Sequence, residues 1–321
     1  MRVFVTGASG HIGTTVVRDL VEAGHDVLGL ARSDESATAV NELGAQVQRG
    51  GLADTEALRD AAAWADGVIH LAFDHAQMRT GDLAGAASTD LAAVRAMGAA
   101  LAGTGKALAG TGRTMRAASA GTGKVMVGVS GTLSVAGLGR TATEDDRDNP
   151  AQASPRSAVA AEILGLADRG VRASVVRVPP VVHSDLDRHG FMPTLIRIAR
   201  ENGVSGYVGD GTNRWAAGHA RDVARVFRLA LEKAPSGARL HPVGDEGVPT
   251  KAIAETIGRN LGLPVDSVPA QEVARFTFLA PFMTMDNPTS NARTREMLGW
   301  APAYPGLIAD LDGGHYFAGD K

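Results

Sequence analysis

Residues 1–13 read MRVFVTGASGHIG, and the stretch Gly7-Ala8-Ser9-Gly10-His11-Ile12-Gly13 decides the fold. The run before it, Met1 to Val5, is short, apolar and rich in valine, and it breaks at Thr6-Gly7. That is the pattern of a buried parallel strand. In the run after it, Thr14 to Ala23, Val16, Val17, Leu20 and Val21 share one helical face, and Gly24 sits where a C-terminal cap belongs. A glycine triplet between such a strand and such a helix is the pattern of a dinucleotide-binding turn. Gly7 permits the tight turn, Gly10 lets backbone amides approach a diphosphate, and Gly13 lets the helix pack on the strand. The helix N-terminus adds a partial positive charge, and the backbone of Ser9, His11 and Ile12 completes the candidate phosphate site.

Outward from this turn, strands and helices alternate. Val27 to Ala31, Val47 to Arg49, Val68 to Phe73, Lys124 to Ser130 and Ala173 to Val178 read as further strands. Asp54 opens a helix as an N-cap. The predicted fold is α/β: a Rossmann, doubly wound parallel sheet with helices on both faces and a smaller, mostly helical C-terminal substrate-binding part. The boundary is expected near residue 180, giving 1–180 for the cofactor domain and 181–321 for the rest, with 217–245 packing back on the sheet. Met192 to Asn202, Asp222 to Lys233, Thr250 to Leu261, Ala270 to Phe278 and Asn291 to Trp300 read as helices of the later part.

The bulk composition narrows the function. A net charge of -3 offers no basic field for nucleic acid or a membrane surface. With 0 Cys, disulfides, thiolate nucleophiles and cysteine-held metals are excluded, and a reducing, cytoplasmic home is compatible. No stretch reaches the ~20 apolar residues of a membrane span, and the N-terminus lacks a signal-peptide core. The expected partner is a small molecule, and a homodimer is left open. AGTGK at 102–106, AGTGR at 109–113 and AGTGK at 120–124 form a local duplication. A phosphate loop also needs an earlier glycine and Ser or Thr after the Lys, so a lengthened connection is the reading.

The second strand ends Gly29-Leu30-Ala31-Arg32-Ser33, with no carboxylate at its tip. An acid there selects NAD by bonding the ribose 2′-hydroxyl. Arg32 instead matches a 2′-phosphate, and Ser33 adds a hydroxyl, so NADP(H) is expected over NAD(H).

The chain resembles the extended short-chain dehydrogenase/reductase superfamily, which contains NAD-dependent epimerases and dehydratases. The resemblance rests on TGASGHIG at the start, HLAF at 70–73, VSGT at 129–132 and VVRVPPVVH at 175–183. It continues through NRWAAGHARDVAR at 213–225 and SNARTREMLGWAP at 290–302. It implies that Leu71, Ala72 and Phe73 line the cofactor ribose and that Pro179 to His183 lies beside the nicotinamide. It also exposes a departure. The superfamily's acid–base Tyr and its Lys fall, in this chain, on Ser154 and Ala158. An unassisted Tyr is a poor base at neutral pH, so the pair matters, and here neither member is present.

Four residues are candidate replacements. Thr132 aligns with the family's catalytic Ser/Thr, and Ser130 is its alternative. Arg156 can contact a ribose hydroxyl or a polarised carbonyl. His183 transfers protons near neutral pH without help, although a hydrogen-bonded loop histidine explains it equally well. Asp74, Asn213 and Arg214 are candidate substrate contacts; Arg214 can equally pair with a nearby acid. The run His183 to His189 lacks a recognised metal spacing, and no metal is expected. A GxSxG elbow is absent, which argues against a hydrolase. The leading expectation is an NADP(H)-dependent oxidoreductase with a non-standard proton donor. A non-catalytic NADP(H)-binding regulator comes second, and a nucleotide-sugar epimerase or dehydratase third.

Overall fold

The structure, a computed structural model, describes residues 1–74, 77, 82–102, 123–152 and 155–318. The three AGTGK-like copies fall within or across 103–122, and Ser154 also lies outside the described residues. In chain order the elements of the first part are β1 (Arg2–Thr6), α1 (His11–Glu22), β2 (Asp26–Ala31), α2 (Asp34–Glu42), β3 (Gln46–Arg49) and α3 (Thr55–Trp64). Then come β4 (Gly67–His70), α4 (Leu83–Ala102), β5 (Val125–Gly131), α5 (Pro155–Gly165) and β6 (Arg172–Val178). They are followed by β7 (Val181–His183), α6 (Phe191–Asn202), β8 (Ser205–Val208), β9 (Arg214–His219), α7 (Ala220–Lys233) and β10 (Arg239–Leu240). The last are β11 (Asp245–Pro249), α8 (Thr250–Leu261), β12 (Val265–Val268), α9 (Ala292–Leu298) and α10 (Leu307–Asp312).

The chain divides into two compact units whose segments interleave. The first comprises 1–130, 154–176 and 224–240; the second comprises 131–153, 177–223 and 241–321.

The first unit is built on a seven-stranded parallel sheet in the order β10-β6-β5-β4-β1-β2-β3. This is a Rossmann sheet: the chain runs outward from β1 to β3, then crosses back to place β4 on the other side of β1. The order reverses between β1 and β4, and the crevice beyond the carboxyl ends of such strands is where ligands bind in open α/β sheets. Four-residue β4 is buried at every position, as a strand covered on both faces should be. Phe4, Met97, Met126 and Ile163 are fully buried in the core between sheet and helices. Each such side chain contributes about 1.5–3 kcal/mol of burial. Asp54 caps α3 through its side chain, which accepts from Ala57 N.

Among the described residues the second unit carries five strands besides its helices. β7 and β9 run parallel, β11 joins β9 antiparallel, and β8 pairs with β12. Its core gathers Trp215, Leu195, Ile253, Phe276 and Met283. The stretch expected as a helix over 270–278 is a 3-10 segment, Ala270–Phe282, broken at Thr277 (φ 55, ψ -127) and carrying Pro281. Proline cannot donate to a helical ladder, and a β-branched residue at positive φ interrupts it outright. Among the described residues no helix is long and apolar enough to cross a membrane.

Candidate functional site

The first unit holds a cleft of about 570 Å³ at the carboxyl ends of β1, β2 and β4. Its floor is the glycine turn. Gly7 has φ +69, and a Cβ on it would lie 2.8 Å from Ala72 N. A Cβ on Gly13 would lie 1.9 Å from Gly7 O, closer than atoms can approach, so α1 packs against the turn only because Gly13 has no side chain. Gly10 is the N-cap of α1, has no side-chain cap hydrogen bond, and lines the cleft with Gly7 and Ser9. His11, Ile12 and Gly13 form the first turn of α1, whose opening amides have no partner within the helix. This is a cradle for a diphosphate, and the residues present fit one.

One wall is the segment after β4: Leu71, Ala72, Phe73 and Asp74 all line the cleft. Asp74 accepts a hydrogen bond from Gln77 N at 3.0 Å. The opposite rim is the tip of β2. Arg32 lines the cleft, is exposed, and has no hydrogen-bond or ion-pair partner among the described residues. Ser33 is the N-cap of α2 and forms a capping box with Ser36, so its hydroxyl is engaged in the cap. Asp34, the acid nearest the strand tip, is held by Arg49 at 2.6 Å, and Arg49 also donates to Ser33 O at 2.7 Å. Register explains the pairing: Ala31 on β2 lies opposite Arg49 on β3. Gly50 and Gly51 continue from β3 into the cleft lining.

Ser130 and Arg156 also belong to the first unit. Ser130 is buried at the carboxyl end of β5. Arg156, in the first turn of α5, lies over the Phe73 ring at 4.3 Å from its centroid. Burial pushes the Arg156 guanidinium down from its usual range, and the Asp90 carboxylate pulls it back. Two residues further along α5, Ala158 is exposed.

The remaining candidates lie in the second unit. Thr132 is fully buried; its hydroxyl donates to Asn287 Oδ1 at 2.7 Å, and Asn287 Nδ2 returns a bond to Thr132 O at 3.0 Å. His183 is fully buried, with Nδ1 2.7 Å from Asp310 Oδ2 and Nε2 without a partner. Its ring meets His219 edge-on at 5.4 Å. The Asp310 carboxyl feels burial pushing it up, but the His183 hydrogen bond and nearby histidines hold it below its usual range. Pro179 is buried beside Gly218. Asn213 donates to Met283 O and Met285 O, and Arg214 is committed to Asp286 at 2.8 Å. That hydrogen bond and ion pair keep the Arg214 guanidinium above, and the Asp286 carboxyl below, their usual ranges. Among the described residues no group of three or more His, Asp or Glu is arranged to hold a metal.

The sequence reading missed Arg49, Thr6, His70 and Asp90. Thr6 and His70 sat inside quoted motifs but carried no signal of their own, since each gains meaning only from the strand opposite. Arg49 was legible as a strand end, but not as the partner of Asp34.

Comparison with known proteins agrees with this architecture. The profile of the NAD dependent epimerase/dehydratase family matches residues 3–241. An uncharacterized protein of Schizosaccharomyces pombe is 40% identical over 318 residues, covering 99% of this chain and 100% of that one. A 4-hydroxy-2-methyl-3-oxo-4-farnesyl-3,4-dihydroquinoline-1-oxide ketoreductase of Stigmatella aurantiaca is 31% identical over 242 residues, 74% of this chain and 66% of that protein. The crystal structure of UDP-glucose 4-epimerase from Thermotoga maritima aligns with a TM-score of 0.71 at 19% identity, covering 99% and 98% of the two chains. At that identity it speaks for the fold alone. With a family profile spanning most of its length and a cradle built on three glycines, this chain belongs to the NAD dependent epimerase/dehydratase family, within the extended short-chain dehydrogenase/reductases.

Proposed function

We infer that the protein is an NADP(H)-dependent oxidoreductase acting on a small carbonyl- or alcohol-type substrate, with a proton donor other than the superfamily's Tyr/Lys pair. The observation that carries the cofactor choice is the division of labour at the tip of β2. Asp34 is hydrogen-bonded to Arg49, while Arg32 lines the cleft with no partner among the described residues. An unpaired guanidinium suits a phosphate, and a carboxylate already engaged is poorly placed to bond a ribose hydroxyl. When bound, a nicotinamide cofactor supplies the hydride chemistry. The chain's own residues grip and orient it: the turn from Gly7 to Gly13 at the diphosphate, Arg32 at the extra phosphate, and Leu71 to Phe73 along the wall. The ketoreductase relative supports a carbonyl substrate.

Among the proton-handling candidates, His183 has the features of a general acid–base group: a carboxylate on Nδ1 and an unused Nε2. Thr132, Ser130 and Arg156 are the alternatives. A second reading, a non-catalytic NADP(H)-binding regulator, is favoured by Ala158, which has no functional group where the superfamily carries Lys. Nucleotide-sugar epimerisation ranks last because it leans on the same missing pair. Two measurements decide. Calorimetry with NADPH and NADH tests the cofactor; preference for NADH would overturn the Arg32 assignment. Oxidation of NADPH over a panel of aldehydes and ketones separates enzyme from regulator, since tight binding without turnover of any of them sides with the regulator.

A further inference from the structure

Beneath the cleft, three buried polar side chains join β1, β4 and α4. Thr6, His70 and Asp90 are 0%, 1% and 2% exposed. Their hydrogen bonds have a fixed direction. Thr6 Oγ1 accepts from Leu71 N and from Ala72 N, each at 3.2 Å. With both lone pairs used, its single proton points to His70 Nδ1, 2.7 Å away. Nδ1 is therefore an acceptor, the ring proton sits on Nε2, and Nε2 donates to Asp90 Oδ1 at 2.7 Å. This arrangement satisfies Thr6 Oγ1, both ring nitrogens of His70 and Asp90 Oδ1.

The chain ends on the amides of the very segment that walls the cleft. Leu71 and Ala72 line it, as does Thr89, the neighbour of Asp90 on α4. The Ala72 amide is also what a Cβ on Gly7 would strike at 2.8 Å. The glycine turn and the 71–72 wall are thus in backbone contact, and Thr6, one residue before Gly7, bonds that wall. An all-apolar core would fill the same space without the desolvation cost of a buried carboxylate. A polar chain in its place specifies position.

We propose that Thr6, His70 and Asp90 are positioning residues that hold the Leu71–Ala72 wall in register with the glycine turn and so set the affinity of the cleft for its dinucleotide. This rests on the cofactor reading above. None of the three touches the cofactor in this account; they act through the two backbone segments that do. Asp90 anchors the chain from α4, His70 carries the bond across β4, and Thr6 delivers it to the wall.

The test is calorimetry of the full-length protein with NADPH and NADH, comparing wild type, His70→Leu and His70→Gln. Leucine fills part of the space without hydrogen bonds. Glutamine offers a carbonyl to Thr6 and an amide to Asp90. His70→Leu should weaken binding of the preferred dinucleotide by about tenfold or more, the cost of unmaking buried hydrogen bonds. His70→Gln should return to within about threefold of wild type. If His70→Leu fails to fold, Thr6→Val and Thr6→Ser make the same comparison, serine retaining the hydroxyl. Nitrogen-15 spectra of labelled wild type should show His70 protonated on Nε2 alone. Wild-type affinity in His70→Leu, or equal loss in the leucine and glutamine variants, overturns the positioning chain while leaving the cofactor reading intact. Absence of dinucleotide binding by wild type overturns both.

Discussion

Arg49 Nη2 lies 2.6 Å from Asp34 Oδ1, and this contact between β3 and the start of α2 leaves Arg32, at the tip of β2, without a partner among the described residues. A charge-assisted hydrogen bond from Arg32 to a bound phosphate would contribute about 1.5–3 kcal/mol. Arg32→Ala should therefore weaken NADPH binding by about tenfold to a hundredfold, with little change for NADH. Arg49→Ala frees Asp34 and should narrow the preference for NADPH from the other side. Dissociation constants for both nucleotides on both variants check this; equal losses for the two nucleotides in Arg32→Ala would contradict it.

Two glycines of the first unit should respond oppositely to an added methyl. In Gly13→Ala the new Cβ would meet Gly7 O at 1.9 Å, so α1 must move off the turn. Both dinucleotide binding and the thermal midpoint should fall. Gly165, at the end of α5, has φ -63 and ψ -17 and nothing within 4 Å of its Cβ position. Gly165→Ala should be neutral or stabilise by about 0.4–1 kcal/mol through the unfolded chain. Thermal melts of the pair decide, and a tolerated Gly13→Ala would sink the cradle geometry.

Thr132 and Asn287 exchange two hydrogen bonds within the second unit, both side chains fully buried. Thr132→Val keeps the shape and strands Asn287 Oδ1, while Asn287 Nδ2 keeps its bond to the Thr132 carbonyl; the loss should cost about 1–3 kcal/mol. Thr132→Ser keeps the hydroxyl and should recover most of that. If Thr132 also handles the proton, turnover in Thr132→Val falls by more than its loss of folded fraction. Denaturant titration beside kcat separates the two effects.

Acid should reach the second unit through His241. The residue is fully buried; its Nδ1 donates to Ser290 O at 2.9 Å, and its Nε2 has no partner. Burial pushes the ring down to about 3 from an ordinary 6.5. Below 6.5 the unfolded chain takes up a proton that the native state refuses. The stabilisation is therefore fully present above pH 6.5 and is lost as pH falls towards 3. The total is on the order of 3–5 kcal/mol. His241→Asn retains a donor for Ser290 and does not titrate. Its stability should decline less between pH 6.5 and 4 than that of wild type; parallel declines would remove His241 from the account.

The glycine turn, the alternation of strands and helices and the cap at Asp54 were all legible in the chain, because each is a matter of local dihedral preference and periodicity. The break at Thr277 was not: apolar spacing over 270–278 is compatible with a helix, and only the packed segment shows the positive φ that interrupts it.

What the amino-acid sequence by itself determined is the Rossmann half and the residues that can cradle a diphosphate. What tertiary structure alone decided is which polar groups are already spent. Arg49 occupies Asp34 because β2 and β3 lie in one register, and Thr132 finds Asn287 across 155 residues of chain. Thr6 and His70 are 64 residues apart, yet 2.7 Å separates their polar atoms because β1 and β4 are neighbours in the sheet. Local propensity acts over a few residues. Partners at these separations are chosen by strand order and register, which no short window of sequence contains.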